Sequence, residues 1–442
     1  MRLASKLERS VRVVVVSYFH PPFPGAGGNR WDAMSHYVRA LGYSVTIIAC
    51  DAWGALPTDS ALGVRRTSDL RSIGVLRRAL RRGEMQVAGA GGSESVERPP
   101  TPLLTQVVPP DLHLVSWDPA VLRLLAGMIR RELVDCLVTT GPPASAHLLG
   151  LALGRLRPAW VADFRDGWRF DDGRDPFPTA MQRRLDGWLE RRVVRTADAV
   201  VGATAPIAED LGSRLGGHAR CVPNAWDPRL TPSGPPASFQ PVSDATTFVS
   251  VGTLSGSRGR DPRPLLRALG EVGSGSDPVP VRLVHAGRLT TEERTLIEDL
   301  GVADLVQHLG TVTRGEALAL QRAADALVLL TSRNPSEAAS KTFEYLAAGR
   351  PILALAEGNE AARIVRETNA GVTVAPDDVD AIAAALRRVA SGELARTYAP
   401  RGLDRFTYPA PAEAMADVIE DALRRRGASR RRHRDVPGQR RG

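Results

Sequence analysis

The sequence predicts an α/β protein with two doubly wound domains, each built on a parallel sheet. Short apolar runs alternate with stretches of helical apolar spacing along most of the 442 residues. Loops rich in Gly or Pro follow several of these runs, and in doubly wound sheets ligands bind beside such loops. One Pro- and Ser-rich segment without periodicity, residues 228–245, interrupts the alternation and is interpreted as an interdomain linker. A chain of this length is also too long for a single hydrophobic core.

The linker sets the predicted domain boundaries. An N-terminal domain is expected over residues 1–227 and a C-terminal domain over residues 246–405. Residues 406–423 include a late amphipathic helix, which is expected to pack back on the N-terminal domain. The Arg-rich tail, residues 424–442, is predicted to be disordered.

The formal net charge of +9 is concentrated in that tail, which contains nine Arg and one Asp. The rest of the chain carries a net charge of +1, so no specific nucleic-acid partner is expected. No apolar run reaches the ~18 residues that a membrane-spanning helix needs, and Val13–Val16 is too short for a signal-peptide core. Three cysteines, Cys50, Cys136 and Cys221, lie far apart without metal-binding spacing. We therefore expect reduced thiols and a cytoplasmic protein.

The first β-α-β unit begins with a buried parallel strand, Val11–Ser17. A loop rich in Pro and Gly, residues 18–30, leads to a helix over residues 31–41 and a strand over Val45–Ala49. Three loop glycines followed by an acid about 20 residues later partly resemble a dinucleotide fingerprint. The interpretation is discounted because Arg30 occupies the third Gly position and the loop is too long. Its glycines still allow a ligand's phosphates to approach backbone N–H groups.

Apolar residues recur at helical spacing between Ile73 and Leu80, with arginines on the remaining positions. These arginines are Arg77, Arg78, Arg81 and Arg82. The pattern is typical of a basic helix on an anionic membrane surface, or of an ordinary surface helix, which is favoured. A peripheral contact with the inner face of the cell membrane is the partner that the first alternative implies.

Further α/β alternation follows, with a helix predicted over residues 144–154 and a strand over residues 160–164. This strand ends in two carboxylates that flank an arginine, Asp163, Arg165 and Asp166. Such a constellation at the carboxyl end of a strand is typical of a functional site, or of a surface ion pair that satisfies itself.

The C-terminal half repeats the alternation and leads to the stretch Asn334–Gly358. There an apolar strand is followed by a polar loop, a helix over Lys341–Ala348, and Gly349 as a helix stop. A helix N-terminus at the carboxyl edge of a parallel sheet binds anions. Lys341 adds a cation there and Glu344 adds an acceptor for sugar hydroxyls, which are the groups that a nucleotide diphosphate needs. An ordinary solvated helix is the alternative.

Four segments in order resemble the family 4 glycosyltransferases of the two-domain GT-B type. They are YFHPPFPGAGGNRW, TGPPASAHLLGLALGRLRPAWVADFRDGW, VPNAWDP, and VGTLSGSRGRDPRPLLRAL together with SKTFEYLAAGRPILAL. The resemblance runs from Val11 to about Arg388. It implies two Rossmann-like domains that face each other across a cleft, a nucleotide-diphosphate sugar as co-substrate, and retention of anomeric configuration. It also implies no bound metal and no further cofactor.

The resemblance also implies roles for individual residues. Glu344 should accept the ribose hydroxyls, while Lys341 and Arg260 should neutralise the diphosphate, with Arg258 as an alternative to Arg260. Ser340 marks the helix N-terminus that assists them. Val312 should lie by the base through its backbone groups.

From the other domain, Gly27 and Gly28 should approach the diphosphate or the donor sugar. The chain departs from the family pattern at two positions. The first acid of the E-x7-E motif is replaced by Ser336, so it is absent or is supplied by the shifted Glu337. Many members carry a His where this chain has Arg165, which leaves Asp166 as the candidate that contacts donor or acceptor.

The predicted function is transfer of a hexosyl or N-acetylhexosaminyl group to an acceptor hydroxyl. A cell-surface glycan, a lipid-linked glycan or a small natural product are the acceptors considered. Two alternatives remain open, namely an enzyme like the nucleotide-sugar 2-epimerases and a non-catalytic protein that binds nucleotide sugars.

Overall fold

The computed structural model describes residues 10–22, 29–51, 56, 58–59, 63–70, 108–170, 176–217, 219–240, 244–255 and 259–434. It contains two parallel sheets, one with seven strands in the order β3-β2-β1-β4-β5-β6-β7 and one with six in the order β10-β9-β8-β11-β12-β13. The strands are β1 Arg12–Ser17, β2 Ser44–Cys50, β3 Val64–Thr67, β4 Cys136–Gly141, β5 Ala159–Phe164, β6 Ala199–Gly202, β7 Ala219–Cys221, β8 Thr246–Val251, β9 Val281–Ala286, β10 Val306–Gly310, β11 Ala326–Leu330, β12 Ile352–Leu355 and β13 Gly371–Val374.

Helices cover both faces of each sheet. They are α1 Asn29–Ala40, α2 His113–Ser116, α3 Asp118–Arg130, α4 Leu148–Ala152, α5 Ala180–Thr196, α6 Ala205–Leu215, α7 Arg263–Ser274, α8 Thr291–Asp299, α9 Arg314–Ala323, α10 Ser340–Ala348, α11 Glu360–Glu367, α12 Val379–Ala390, α13 Glu393–Thr397 and α14 Ala410–Arg434. Because both faces are covered, the central strands β4, β5 and β11 are buried along their whole length.

The strand order reverses between β1 and β4 in the first sheet and between β8 and β11 in the second. Ligands of doubly wound sheets bind in the crevice outside the strands' carboxyl ends at such a point. The predicted fold, two doubly wound α/β domains of GT-B type, is confirmed.

Four hydrophobic clusters form the cores, one on each face of each sheet. The cluster on one face of the first sheet includes Trp31 and Met34 from α1. It also includes Met415 and Ile419 from α14, so the end of the chain packs on the N-terminal sheet. The segment at Trp226, where the chain leaves the N-terminal domain, lies beside the segment at Phe406 and Tyr408, where the chain returns to it. Trp226 N–H donates to the Phe406 carbonyl (2.8 Å) and Tyr408 N–H donates to the Trp226 carbonyl (3.0 Å). Two adjacent crossings therefore join the domains.

Helix α14 continues to Arg434, so the prediction of a disordered tail is wrong for residues 424–434. Two arginines of this stretch, Arg425 and Arg426, contact the N-terminal domain. Arg426 donates to the Arg157 carbonyl (2.8 Å) and Arg425 to the Asp198 carbonyl (3.2 Å). Arg is also a good helix former, so nothing in this sequence ends the helix at residue 424. Residues 435–442 lie outside the described part of the chain.

Short or weakly patterned elements differ most from expectation. The edge strand β3, with the sequence VRRT, was not predicted because it lacks an apolar run. The helix predicted over residues 144–154 is instead the short helix α4 between two 3₁₀ turns. Within α4, Gly150 lets the segment lie close to the sheet, since a Cβ there would lie 2.2 Å from the Trp160 ring.

A buried ion pair joins three distant parts of the N-terminal domain. Arg30 and Asp163 lie 3.0 Å apart, and their side chains are 3% and 0% exposed. Asp163 also accepts from Trp31 Nε1 (2.8 Å) and Thr140 Oγ1 (3.0 Å), while Arg30 donates to the Val222 carbonyl (2.9 Å). The partner of Asp163 is thus Arg30 rather than Arg165, and the carboxylate is neither a surface ion pair nor part of an open site.

Replacing Asp163 by Asn should lower the free energy of unfolding by ~3–5 kcal/mol, because the Arg30 charge stays buried without its counter-charge. Arg30 holds the pKa of Asp163 below its ordinary value, so this share of stability is present at neutral pH and is lost as the pH falls below about 4. Urea denaturation followed by tryptophan fluorescence measures both effects.

The matched control is Asp377→Asn, which removes an exposed carboxylate from its pair with Arg333, where the side chains are 63% and 74% exposed. It should change the free energy of unfolding by no more than ~1 kcal/mol. Equal effects of the two substitutions would contradict the role given to Asp163.

Candidate active site

A cavity of about 680 Å³ lies between the domains and is lined by residues of both. It opens at the carboxyl ends of the two sheets, where the loops after β1, β4 and β5 face the loops around α9 and α10. Six residues predicted from the sequence line it: Asp166, Arg260, Ser336, Glu337, Ser340 and Glu344. The fold therefore brings residues from both halves of the sequence to one cleft.

The other five predicted site residues either do not line the cavity or lie outside the described part of the chain. Lys341 lies just behind the wall, and Val312 packs against the core on one side of the second sheet. Gly27, Gly28 and Arg258 lie outside the described residues. The same holds for the basic segment with Arg77, Arg78, Arg81 and Arg82.

The N-terminus of α10 points into the cleft without a side-chain cap. Its N-cap is Ala339, which is extended and offers no side-chain oxygen, and residues 338–340 line the cavity. The neighbouring helices α8 and α9 both begin with a Thr capping box instead. The first N–H groups of α10 are therefore available to an anion, and the helix dipole favours a negative charge there.

Lys341 lies in the first turn of α10, and its Nζ donates to the Val251 carbonyl at 2.9 Å. Burial, and then the nearby Arg260 charge, lower the pKa of Lys341 to about 8. A cation with a lowered pKa beside an uncapped helix N-terminus is stabilised by an incoming anion. The arrangement thus favours a phosphate ligand.

Arg260 is held against the cleft wall by Glu337, with 2.9 Å between Nη2 and Oε1. The other carboxylate oxygen of Glu337 accepts from the backbone N–H of Ser332 (2.8 Å) and from its hydroxyl. Ser336 donates its hydroxyl to Asn334 Oδ1 (2.9 Å). Both oxygens of Glu337 are therefore already engaged, one by Arg260 and the other by Ser332, and Ser336 stabilises the turn.

Glu344 faces the cleft from the second turn of α10 and pairs with Arg314, with 2.8 Å between Oε1 and Nη2. Arg314 is the first residue of α9 and was missed by the sequence analysis. A signal was present, since Arg314 follows the end of β10 and residues at strand carboxyl ends meet at one edge of the sheet.

The opposite wall carries Arg165 and Asp166. Arg165 Nε donates to the Gly141 carbonyl (2.9 Å) and its Nη2 to the Pro142 carbonyl (3.1 Å), which fixes the guanidinium at the end of β4. The linker side of the cleft adds Asp227 and Arg229, an ion pair with Nε–Oδ2 at 3.0 Å that the sequence analysis also missed.

Two histidines of the N-terminal domain, His147 and His20, have structural roles. His147 is buried, its Nδ1 lies 2.9 Å from Thr139 Oγ1, and its ring stacks on Phe164. Burial lowers the pKa of His147 to about 4, so it is neutral at physiological pH. His20 is 4% exposed with its Nδ1 3.1 Å from the Pro21 carbonyl, and burial lowers its pKa.

The two domains each match a family model. Residues 2–225 match the model described as a glycosyl transferase 4-like domain, and residues 245–391 match the model described as glycosyl transferases group 1. The first match covers just over half of the chain. The chain therefore belongs to the glycosyl transferase 4-like family.

A curated relative and two solved structures resemble the chain. An exopolysaccharide phosphotransferase of Streptomyces coelicolor is 26% identical over 338 residues, which cover 73% of this chain and 33% of that protein. The chain thus spans about a third of the length of the curated relative that it matches. Sucrose-phosphate synthase from Thermosynechococcus elongatus has a TM-score of 0.66 at 17% identity, covering 94% of this chain and 100% of that one. MnaA of S. aureus, solved with UDP, has a TM-score of 0.52 at 11% identity, covering 94% and 97%. At these identities the structural likeness shows the fold.

In the ligand-free protein, Lys341 should titrate with a midpoint near pH 8. The chain has only two lysines, Lys6 and Lys341, so selective isotope labelling of lysine gives two side-chain NMR signals. The signal that disappears in Lys341→Arg belongs to Lys341. A midpoint for that signal at the ordinary lysine value of ~10.4 would show that burial and Arg260 leave it unperturbed.

Proposed function

We propose that this protein transfers a sugar from a nucleotide diphosphate to an acceptor hydroxyl in the cleft between its domains. One observation carries the proposal. Arg260 and the uncapped N-terminus of α10 lie at one wall with Lys341 just behind it, and Glu344 lies one turn further along the same helix. This combination suits a diphosphate joined to a ribose.

The chemistry requires stabilisation of negative charge. Breaking the anomeric C–O bond leaves positive charge on the sugar and negative charge on the departing diphosphate. Fixed cations and N–H groups at the diphosphate lower the barrier because they act where that charge develops. Lys341 and Arg260 perform this role in the proposal, with the N–H groups near Ser340. Arg260 is held in place by Glu337, so little reorganisation is needed when the bond breaks.

The stereochemical proposal is retention of anomeric configuration. The described cleft residues include no side chain that we assign as a nucleophile, and both oxygens of Glu337 are engaged, one by Arg260 and the other by Ser332. In this proposal the departing phosphate oxygen takes the acceptor's proton on the face that it leaves. Asp166, from the N-terminal domain, contacts the acceptor or the donor sugar.

Glu344 accepts the two ribose hydroxyls in the proposal. In the ligand-free protein it pairs with Arg314, whose side chain is 43% exposed. A vicinal diol can donate two hydrogen bonds to one carboxylate, so the nucleotide replaces the contact with Arg314 without leaving the acid unpaired. Arg314 is then free to turn toward the nucleotide.

The relatives support this choice of ligands. The MnaA structure contains UDP, and the Streptomyces relative is named for exopolysaccharide. We therefore propose UDP-sugars as the first donors to test and a surface or lipid-linked glycan as the acceptor. A non-catalytic nucleotide-sugar-binding protein is the second candidate, since Ser336 and Arg165 replace the first acid and the His of the family pattern. Release of UDP from a donor above background excludes a non-catalytic protein. Conversion of the sugar of a UDP-sugar into its epimer without an acceptor would indicate an epimerase.

Turnover measured with a panel of nucleotide sugars tests the function, and Glu344→Ala tests the site. Loss of charged hydrogen bonds of about 1.5–3 kcal/mol should reduce donor binding or turnover ~10- to 150-fold. Glu413→Ala is the matched control, because Glu413 is an exposed acid on α14 away from the cleft. Near-normal turnover in Glu344→Ala would remove Glu344 from the site.

Binding of UDP at pH 8 should be accompanied by proton uptake. With its pKa near 8, Lys341 is only partly charged at this pH, and a bound diphosphate raises that pKa. Calorimetric titrations in two buffers with different ionisation enthalpies measure the uptake, which should reach roughly half a proton for a pKa equal to the pH.

The Lys341→Met variant should bind UDP more weakly and without this uptake. At pH 6 Lys341 is already charged before UDP binds, so its contribution to proton uptake should vanish in the unmodified protein. The same uptake in both proteins at pH 8 would assign the proton to another group.

A further inference from the structure

The outer surface of α5 (Ala180–Thr196) inverts the arrangement that is ordinary for a surface helix. Met181, Leu185 and Trp188 are 79%, 41% and 58% exposed. Their i, i+4, i+7 spacing places them in one row along the helix. A surface helix normally turns such a row toward the core. Here the row faces outward, and no contact among the described residues explains why it is exposed.

The two carboxylates of α5 point inward instead. Asp186 is 4% exposed and its Oδ1 accepts from Trp168 Nε1 at 2.9 Å. Glu190 is fully buried and pairs with Arg214 at 2.8 Å. The acids of the helix are therefore engaged inside the domain, and the exposed surface of α5 has no negative charge.

Four arginines accompany the apolar row on the exposed surface. They are Arg184, Arg191, Arg192 and Arg195. At 3.6 residues per turn these four and the three apolar residues fall within an arc of about 120°. We name this surface, Met181, Arg184, Leu185, Trp188, Arg191, Arg192 and Arg195, the α5 face.

The N-terminal domain also carries the other exposed large apolar side chains of the described residues. All eight exposed large apolar side chains among the described residues lie between Leu41 and Trp188, and none lies in the C-terminal domain. The basic end of α14 reaches the segment that follows α5, where Arg425 donates to the Asp198 carbonyl. A partner that takes both apolar and cationic groups would therefore meet the N-terminal domain.

We propose that the α5 face docks on an anionic lipid bilayer, with the helix lying in the plane of the headgroups. Trp188, Met181 and Leu185 enter the interface, while the arginines contact the phosphates. A second copy of the chain is a poor occupant, because an isologous contact would bring the same arginines together with no acid to neutralise them. The basic segment that the sequence analysis associated with membranes, residues 73–82, is a different element outside the described residues.

The position of α5 connects the bilayer with the cleft. Because α5 follows β5, its N-terminus lies at the carboxyl edge of the sheet, which is the edge that carries Asp166. A lipid-borne acceptor would thus arrive near the cleft. This consequence rests on the proposed glycosyl transfer, whereas docking itself does not.

Co-sedimentation of the full chain with vesicles tests docking directly. We expect binding to phosphatidylcholine vesicles in which about one lipid in three is anionic phosphatidylglycerol. Binding to pure phosphatidylcholine vesicles should be much weaker. Arg184→Ser/Arg192→Ser should weaken binding about 25-fold, at about fivefold per arginine, and salt should weaken the unmodified protein likewise. Met181→Ser/Leu185→Ser/Trp188→Ser should weaken binding at least about tenfold.

The matched control removes three exposed apolar side chains elsewhere, Leu41→Ser/Val115→Ser/Leu133→Ser, and should bind as the unmodified protein does. Unchanged melting temperatures show that the α5 variants fold. Equal binding by the α5 variants and the control, or no binding to anionic vesicles, would overturn the proposal. It would also fail if the unmodified protein were a dimer that the apolar α5 variant converts to a monomer. Turnover of nucleotide sugars measured without vesicles tests the proposed function by itself. A failure of docking can therefore be told apart from a failure of the proposed function.

Discussion

The buried pair of Arg30 and Asp163 is the interaction on which the arrangement of the N-terminal domain depends. It joins the beginning of α1, the end of β5 and the loop after β7 at the edge that faces the cleft. Tyr408, where the chain returns to the N-terminal domain, donates its hydroxyl to the Arg30 carbonyl at 3.3 Å. One charged cluster therefore positions both the cleft wall and the place where the chain crosses between domains. A fully buried pair is stable only when its remaining hydrogen-bonding groups are satisfied, and here Trp31, Thr140 and the Val222 carbonyl satisfy them.

The C-terminal wall of the cleft follows a different electrostatic principle. Arg260 has a carboxylate partner, Glu337, but Lys341 has only a backbone carbonyl within hydrogen-bond distance of its Nζ among the described contacts. Positive charge is thus held close to an uncapped helix N-terminus, with less negative charge than would neutralise it. The diphosphate that we propose as ligand would therefore meet Lys341 without first displacing a carboxylate partner. In the proposed mode of binding, Glu344 exchanges its partner Arg314 for the ribose, so that the nucleotide and Arg314 compete for this carboxylate.

Much of this architecture could be predicted from the sequence because it depends on local patterns. Apolar runs of buried parallel strands, Gly349 after α10 and the loops at strand carboxyl ends all carry their signal within a few residues. Lys341 and Glu344 were predicted as site residues because they lie beside such signals, whereas Arg260 was predicted from the family resemblance. The short edge strand β3 and the interrupted segment around α4 carry weak signals and were missed or misjudged.

What the sequence by itself determined was the class of fold, the alternation of most of its strands and helices, and the edge of the sheets at which the candidate site residues gather. Tertiary structure alone decided the partners: Asp163 with Arg30, 133 residues away; Glu344 with Arg314; and Arg260 with Glu337. It also decided that α14 continues through the basic segment and that α5 turns its acids inward and its Trp outward. The physical reason is that periodicity reports how a helix or strand divides into faces, whereas the neighbour that each face meets depends on how distant segments pack.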